Sequence, residues 1–434
     1  MNSKSLFFKV FVGFCVSSCL IGCNINKKEE SDEQKEETQP TDTTNYDDGY
    51  VDGYLKGYNE GKVSGYTDGF ADGKAEGFED GYDQGKDDGK KEQEEIDRNH
   101  KSIHTALQLQ YLKNNDYSIL PTGVNGTAEL SRPEPIRFEV QESPLYSASD
   151  ITSSKLRISE TNDFTNPANY IEVTGDAENH FEVYNLKINT KYYYYYWAET
   201  ATATYYSDIK EVFVKNEAPR SLYIDGVTNA RDDGGWKIKG QNKYTKQGLM
   251  YRMGRLNTNS TTNITANGIA SFKALGIKTE IDLRNSSDYL PAGTAVDGVA
   301  YYNFPLSHTS NTSYFTDDTN KLGVKNTLEL MANSSNYPLM FHCNIGTDRT
   351  GFVSFIVNAL LGVEEDALYR DYMMSNFAEI GGVRDIASIS TYLTQLKTNY
   401  DGASDLSLGA KNYMLSLGVS EAKIESIKTI MLGV

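Results

Sequence analysis

The chain has 434 residues, 60 acidic against 42 basic, a net charge of −18 and a hydrophobic fraction of 38%. Such a length admits two or three domains, and the low apolar fraction means that part of it builds no core. The negative balance excludes a nucleic-acid partner, whose phosphate backbone demands a basic surface. Residues 24–100 alone carry 23 acidic and 10 basic side chains, so the rest is only mildly acidic and any acidic ligand must be held by a local site.

The first segment combines Lys4 and Lys9 with an apolar run from Leu6 to Ile21. That run is shorter than a bilayer-spanning helix and has signal-peptide architecture. The sequence Leu20-Ile21-Gly22-Cys23 resembles a bacterial lipobox. The resemblance implies that 1–22 are removed, that Cys23 is lipidated, and that the chain is exported and anchored on a membrane outside the cytoplasm. Residues 23–48 are rich in Glu, Lys, Thr and Gln and read as a disordered tether.

Glycine then recurs at every fourth position from Gly49 to Gly89, eleven times, usually followed by Tyr, Phe or Lys. As a helix, 49–91 would present a bare groove that allows close approach of a partner. Eleven interior glycines would cost such a helix on the order of 10 kcal/mol relative to alanine. The segment is expected either to associate with itself or the cell wall, or to serve as a solvated stalk; residues 92–119 read as a linker.

From 120 to 216 short alternating runs separated by turn residues predict an all-β sandwich. The runs are 136–140, 155–158, 170–173, 180–184, 191–199 and 211–214, with His180 as a surface residue. The stretch Leu186-Lys187-Ile188-Asn189-Thr190-Lys191-Tyr192 resembles the tyrosine corner of fibronectin type III domains, with Ile188 where proline is usual. Aromatics at Tyr192 to Trp197 alternate between a core face and a second face, either packed under a loop or open to sugar or protein.

Residues 219–434 have α/β character. Tyr337 to His342 predicts a strand, and Phe352 to Leu361, apolar nearly all round, a buried helix. Between them lies His342-Cys343-Asn344-Ile345-Gly346-Thr347-Asp348-Arg349-Thr350-Gly351. Cys343 is the one cysteine beyond the N-terminal cluster Cys15, Cys19 and Cys23, so no disulfide framework exists there. A loop from a strand into a helix N-terminus turns successive amides toward an anion. Five residues between Cys343 and Arg349 close one turn, with phosphate contacts expected from Asn344, Ile345, Gly346, Thr347, Asp348 and Arg349. Glycine at 346 and 351 permits close backbone approach. The Cys343 thiolate is the nucleophile, Arg349 can hold two phosphoryl oxygens, and Thr350 can donate to the sulfur. No metal or other cofactor enters.

This run resembles the His-Cys-x5-Arg-Thr-Gly signature of protein tyrosine and dual-specificity phosphatases. Asn229 to Gly235, Tyr251 to Leu256, Ile281-Asp282-Leu283-Arg284, and Asp371-Tyr372 with Ser375-Asn376 resemble further motifs of bacterial tyrosine phosphatases. The resemblance implies an α/β cysteine phosphatase acting on a phosphorylated protein or small phosphomonoester through a phosphocysteine. Four carboxyls are candidates for the proton donor: Asp282, Asp348, Asp317 and Asp318. The family likeness favours Asp282, and Asp348 sits within the loop. Arg284 is expected to fix Asp282, and Arg231 with Asp232 to shape the site from behind. Thr347 stands where related enzymes often have lysine, which disfavours highly charged substrates. The alternatives are an inositol phosphate or phosphoinositide phosphatase, and a surface adhesin with a vestigial phosphatase domain.

Overall fold

The computed structural model describes residues 56–57, 90, 99–257, 263–286, 288 and 293–433. The signal peptide, Cys23, the tether and nearly all of the glycine ladder lie outside the described residues.

The N-terminal part contains β1 (His100–Lys101), α1 (Ala106–Leu112), β2 (Ile136–Glu139), β3 (Ile151–Ser159), β4 (Tyr170–Thr174), β5 (His180–Val183), β6 (Thr190–Thr200), β7 (Thr204–Tyr206) and β8 (Lys210–Val214). One sheet has the order β1-β8-β6-β3-β4 with β7 also on β6, and β2 pairs with β5. Alternation gives each strand one inward face. Leu156, Ile158, Tyr192, Tyr196, Val212 and Val214 meet Ile136, Phe181 and Val183 in a core of their own. Tyr192 Oη accepts the Lys187 amide at 2.8 Å, closing the turn before β6. The second aromatic face covers itself: Trp197 stacks against Tyr195 and Tyr206, with Arg157 over its ring. His180 is exposed.

The stretch read as a linker is different. Thr105 and Gln108 form a capping box on α1, and Tyr111 enters the core of the C-terminal α/β part. Leu107 and Leu112 pack there too. The amides of Gly126 and Leu130 bond the Asn376 and Phe377 carbonyls. Residues 106–130 therefore belong to the α/β core, because this short helix has an apolar face that a solvated linker would leave in water. The β-sheet also starts earlier than residue 120, at β1.

The α/β part runs β9 (Arg231–Asp232), β10 (Met250–Met253), α2 (Ala266–Ala274), β11 (Thr279–Asp282), β12 (Ala300–Asn303), α3 (Ser313–Thr316), α4 (Asp318–Met331), β13 (Leu339–His342), α5 (Asp348–Leu360), α6 (Glu365–Met373), α7 (Ala387–Asn399), α8 (Leu406–Ser416) and α9 (Glu421–Leu432). Its sheet has the order β12-β11-β13-β10-β9, parallel except for β9 on β10. Every residue of β10, β11 and β13 is buried, as expected of parallel strands covered on both faces. His342 registers with Met253 on one side and Asp282 on the other. The loop after β13 thus leaves the carboxyl edge of the sheet between two neighbours, the place where open α/β sheets bind ligands.

Helix α5 is buried from Thr350 to Leu360, which explains its apolar circumference. Phe352 stacks on Tyr314 at 4.3 Å, and Leu393, Leu396, Tyr413, Met414, Ile424 and Ile427 of the C-terminal helices close the same core. The two sheets lie in one compact unit. Arg220 bonds Asp232 at 2.8 Å and the Leu186 carbonyl at 3.0 Å. Gln247 accepts the Ile188 amide at 3.0 Å and donates to its carbonyl at 2.8 Å.

Candidate active site

The loop 343–347 is shaped from outside. His342 Nδ1 donates to the Cys343 carbonyl at 3.0 Å. The Arg255 amide donates to the Asn344 carbonyl at 3.1 Å. Asn229 Nδ2 donates to the Ile345 carbonyl at 3.0 Å, and Arg252 Nη2 to the Gly346 carbonyl at 2.9 Å. In a trans peptide the next amide points opposite the carbonyl. Four consecutive carbonyls held outward therefore turn the amides of Asn344, Ile345, Gly346 and Thr347 inward. None of these four amides donates to another described residue. The result is a nest of donors at the start of α5, where the helix dipole adds positive potential. Gly346 is required: its φ is +71°, and a Cβ would stand 2.5 Å from the Met253 backbone. Gly351 serves closeness instead, since a Cβ there would lie 2.9 Å from the Tyr372 ring.

Cys343 lies at the base of this nest and is 1% exposed. Burial would raise its thiol pKa; Arg349 and the Thr350 hydroxyl and amide outweigh burial and hold it below the ordinary value. The buried Thr350 hydroxyl makes no hydrogen bond with a described residue, so it is free to turn to the sulfur. Beneath the cysteine, His342 Nε2 faces Glu280 Oε1 at 3.0 Å, with Asp282 Oδ1 at 3.9 Å. Both ring nitrogens meet oxygen acceptors, which favours the charged ring. Burial acts against that charge, and the Asp282 and Glu280 carboxylates prevail and raise the pKa.

The sequence-derived carboxylates fall in different places. Asp282 is fully buried and spans Arg284, with Nε at 2.9 and 3.0 Å and Nη2 at 2.7 Å, and it accepts Tyr301 Oη at 2.8 Å. It stands below the ordinary carboxylate range: burial would lift it, but His342 and Arg284 hold it down. Asp348 opens α5 and accepts Tyr372 Oη at 3.0 Å and Arg384 Nε at 3.2 Å. Asp317 caps α4 through the Asn320 amide at 2.8 Å, and Asp318 pairs with Lys321 at 3.2 Å on the surface.

Sequence reasoning missed Asp288. Its carboxylate sits on Arg349 Nη1 at 2.6 Å and accepts Asn344 Nδ2. Burial would raise its pKa, and Arg349 holds it low. Its position six residues after the Asp282 motif was the available signal, but a lone Asp among Asn285-Ser286-Ser287 gives no chemical cue.

A buried network supports the loop from behind. Asp371 accepts Arg231 Nε at 2.8 Å and is also bonded by Arg252, the residue that holds Gly346. Arg231 and Arg252 depress Asp371 against the effect of burial. Ser354 bridges Asp371 and Asp233, and burial with the Asp371 charge raises the Asp233 pKa. Arg231 thus acts behind the site, as expected; Asp232 instead anchors Arg220 and the amides of Gly234 and Gly248.

An α/β sheet whose central strand runs into an amide nest, with a buried thiol at its base, places a nucleophile beside an anion site. Residues 222–433 match the model of the tyrosine phosphatase family. A Cupriavidus necator protein named as a tyrosine-protein phosphatase is 23% identical over 215 residues, covering 42% of this chain and 77% of that one. Among solved structures, Pseudomonas aeruginosa TpbA is similar at 18% identity, covering 42% of this chain and 97% of its own, with a TM-score of 0.27. The catalytic core of the Saccharomyces cerevisiae PP-IP phosphatase Siw14 is similar at 17% identity, with 39% and 93% coverage and a TM-score of 0.26.

Proposed function

We propose that the C-terminal domain hydrolyses phosphomonoesters of tyrosine, or of serine and threonine, through a phosphocysteine on Cys343. The observation that carries this reading is the set of four outward-held carbonyls, which leaves four amides facing a buried, acidified thiol. The Cys343 thiolate attacks phosphorus while the bond to the leaving oxygen breaks. The inward amides and Arg349 hold the phosphoryl oxygens, whose charge spreads in the transition state.

The leaving oxygen takes a proton from Asp348. Asp282 is unsuited, because it is walled off from solvent, whereas Asp348 is partly exposed. In the second step water attacks phosphorus, its proton goes to Asp348, and the phosphorus–sulfur bond breaks. Thr350 donates to the departing thiolate. The scheme needs no metal or other cofactor.

Export, lipidation of Cys23 and the outside-facing membrane location belong to the same proposal. The lipobox supports them, and the fibronectin-like corner supports a β-module carried ahead of the catalytic domain. The test compares wild type with Cys343→Ser and Asp348→Asn on phosphotyrosine and phosphoserine peptides. Loss of turnover by the serine variant, and a lowered kcat of the asparagine variant that a substrate with a better leaving group restores, are expected. Turnover by Cys343→Ser equal to wild type would overturn the mechanism.

A further inference from the structure

Three guanidiniums lie close enough to the Cys343 thiolate to act on its charge: Arg349, Arg384 and Arg255. Two have carboxylate partners. Arg349 is on Asp288 at 2.6 Å, and Arg384 is on Asp348 at 3.2 Å. Arg255 has none: its guanidinium makes no hydrogen bond or ion pair with any described residue, and its Nε is buried without an acceptor.

Its place is set by the loop itself. Arg255 follows β10 by two residues, and its amide holds the Asn344 carbonyl at 3.1 Å. The preceding Gly254 allows a close approach to Thr228, since a Cβ there would be 2.8 Å from its Cγ2. Burial and Arg284 oppose the Arg255 charge, whereas Asp288 and the Cys343 thiolate favour it. A half-buried arginine at the rim of an anion nest, with an unmet donor, is costly unless a ligand completes it.

We infer that Arg255 is a specificity-determining residue that grips a second anionic group, phosphate or carboxylate, on the substrate beside the scissile phosphoryl. This rests on the Proposed function reading of the same site. It also revises the expectation drawn from Thr347: the cation missing from the loop is supplied by its neighbour.

The test is a KM-against-kcat comparison of wild type, Arg255→Met and Arg255→Lys on matched substrates. One pair is a phosphotyrosine peptide with acidic flanks and its neutral-flanked equivalent. The other is a small polyol bisphosphate and its monophosphate. These arms separate a peptide carboxylate from a small-molecule phosphate as the second anion. Wild type should favour the doubly anionic member of at least one pair. Arg255→Met should raise KM for that member by roughly tenfold to a hundredfold more than for its singly anionic partner, the worth of a charge-assisted contact, while any change at the thiolate affects both members alike. Arg255→Lys should fall between, because it keeps charge and loses the fork. The thermal midpoint of Arg255→Met should not drop, since no described partner is lost.

Equal effects on both members of each pair, no effect on either, absence of wild-type preference, or unfolding of both variants would each overturn the inference. Calorimetric titration of the doubly anionic ligand into Cys343→Ser, with and without Arg255→Met, reads the same contact without turnover. A failure of Arg255 is thereby distinguished from a failure of the cysteine mechanism.

Discussion

Arg252 donates through Nη2 to the Gly346 carbonyl at 2.9 Å while Nη1 of the same guanidinium bonds Asp371. One planar fork thereby links the anion nest to the buried network behind it. Arg252→Lys keeps a charge but cannot bridge both acceptors. We expect a lower thermal midpoint and weaker competitive inhibition by vanadate, measured on one preparation. An unchanged vanadate constant would show that the Gly346 carbonyl keeps its direction without Arg252.

Asn229 offers a milder probe of the same principle. Its Nδ2 holds the Ile345 carbonyl at 3.0 Å. Asn229→Ala removes that bond and the one its Oδ1 accepts from Arg231, and at about 1 kcal/mol or more each kcat/KM should fall roughly tenfold or more. Inhibition by an oxyanion should weaken in parallel, because the Gly346 amide loses its fixed direction.

The thiol itself is directly readable. Arg349 and Thr350 hold the Cys343 pKa below the ordinary thiol value. The rate of alkylation by iodoacetamide against pH should therefore show its midpoint below that of a free cysteine. Thr350→Val should move the midpoint upward, and kcat should fall with it. A wild-type midpoint at the free-thiol value would contradict the assigned roles of both residues.

Asp233 gives a pH signature in stability. Burial and Asp371 raise its folded pKa above the unfolded carboxylate value, so the folded state holds a proton the unfolded chain has lost. The stability this contributes is present below the unfolded pKa and is lost as pH rises through the folded one. His342, also raised, adds a loss of the same sign above the unfolded imidazole value. The thermal midpoint should decline from about pH 5 toward pH 8, and Asp233→Asn should flatten that decline and be the more stable protein at the alkaline end. Identical profiles would mean that Asp233 is ionised when folded.

How far the sequence carried the site depended on the range of the interaction. The spacing from Cys343 to Arg349, the strand before it and the buried helix after it are local, and each stood in the letters. So did the six strand runs of the β-part, and the tyrosine at 192 reaches the Lys187 amide. Within the stretch read as linker, α1 at 106–112 is not legible, because it is short and its apolar face is meaningful only against the distant core that holds Tyr111. The ion pair of Asp282 with Arg284 is local and follows from the motif; its bond to Tyr301 depends on the adjacent parallel strand. Asp288 and Arg255 bear on the loop through contacts across 61 and 89 positions of sequence, which no local pattern encodes.

The most direct test is a rapid-quench experiment with an aryl substrate carrying labelled phosphate. The account predicts a burst of label bound to the protein, mapping to Cys343, absent from Cys343→Ser and prolonged in Thr350→Val. Steady turnover with no label on Cys343, or turnover undiminished in Cys343→Ser, would contradict it.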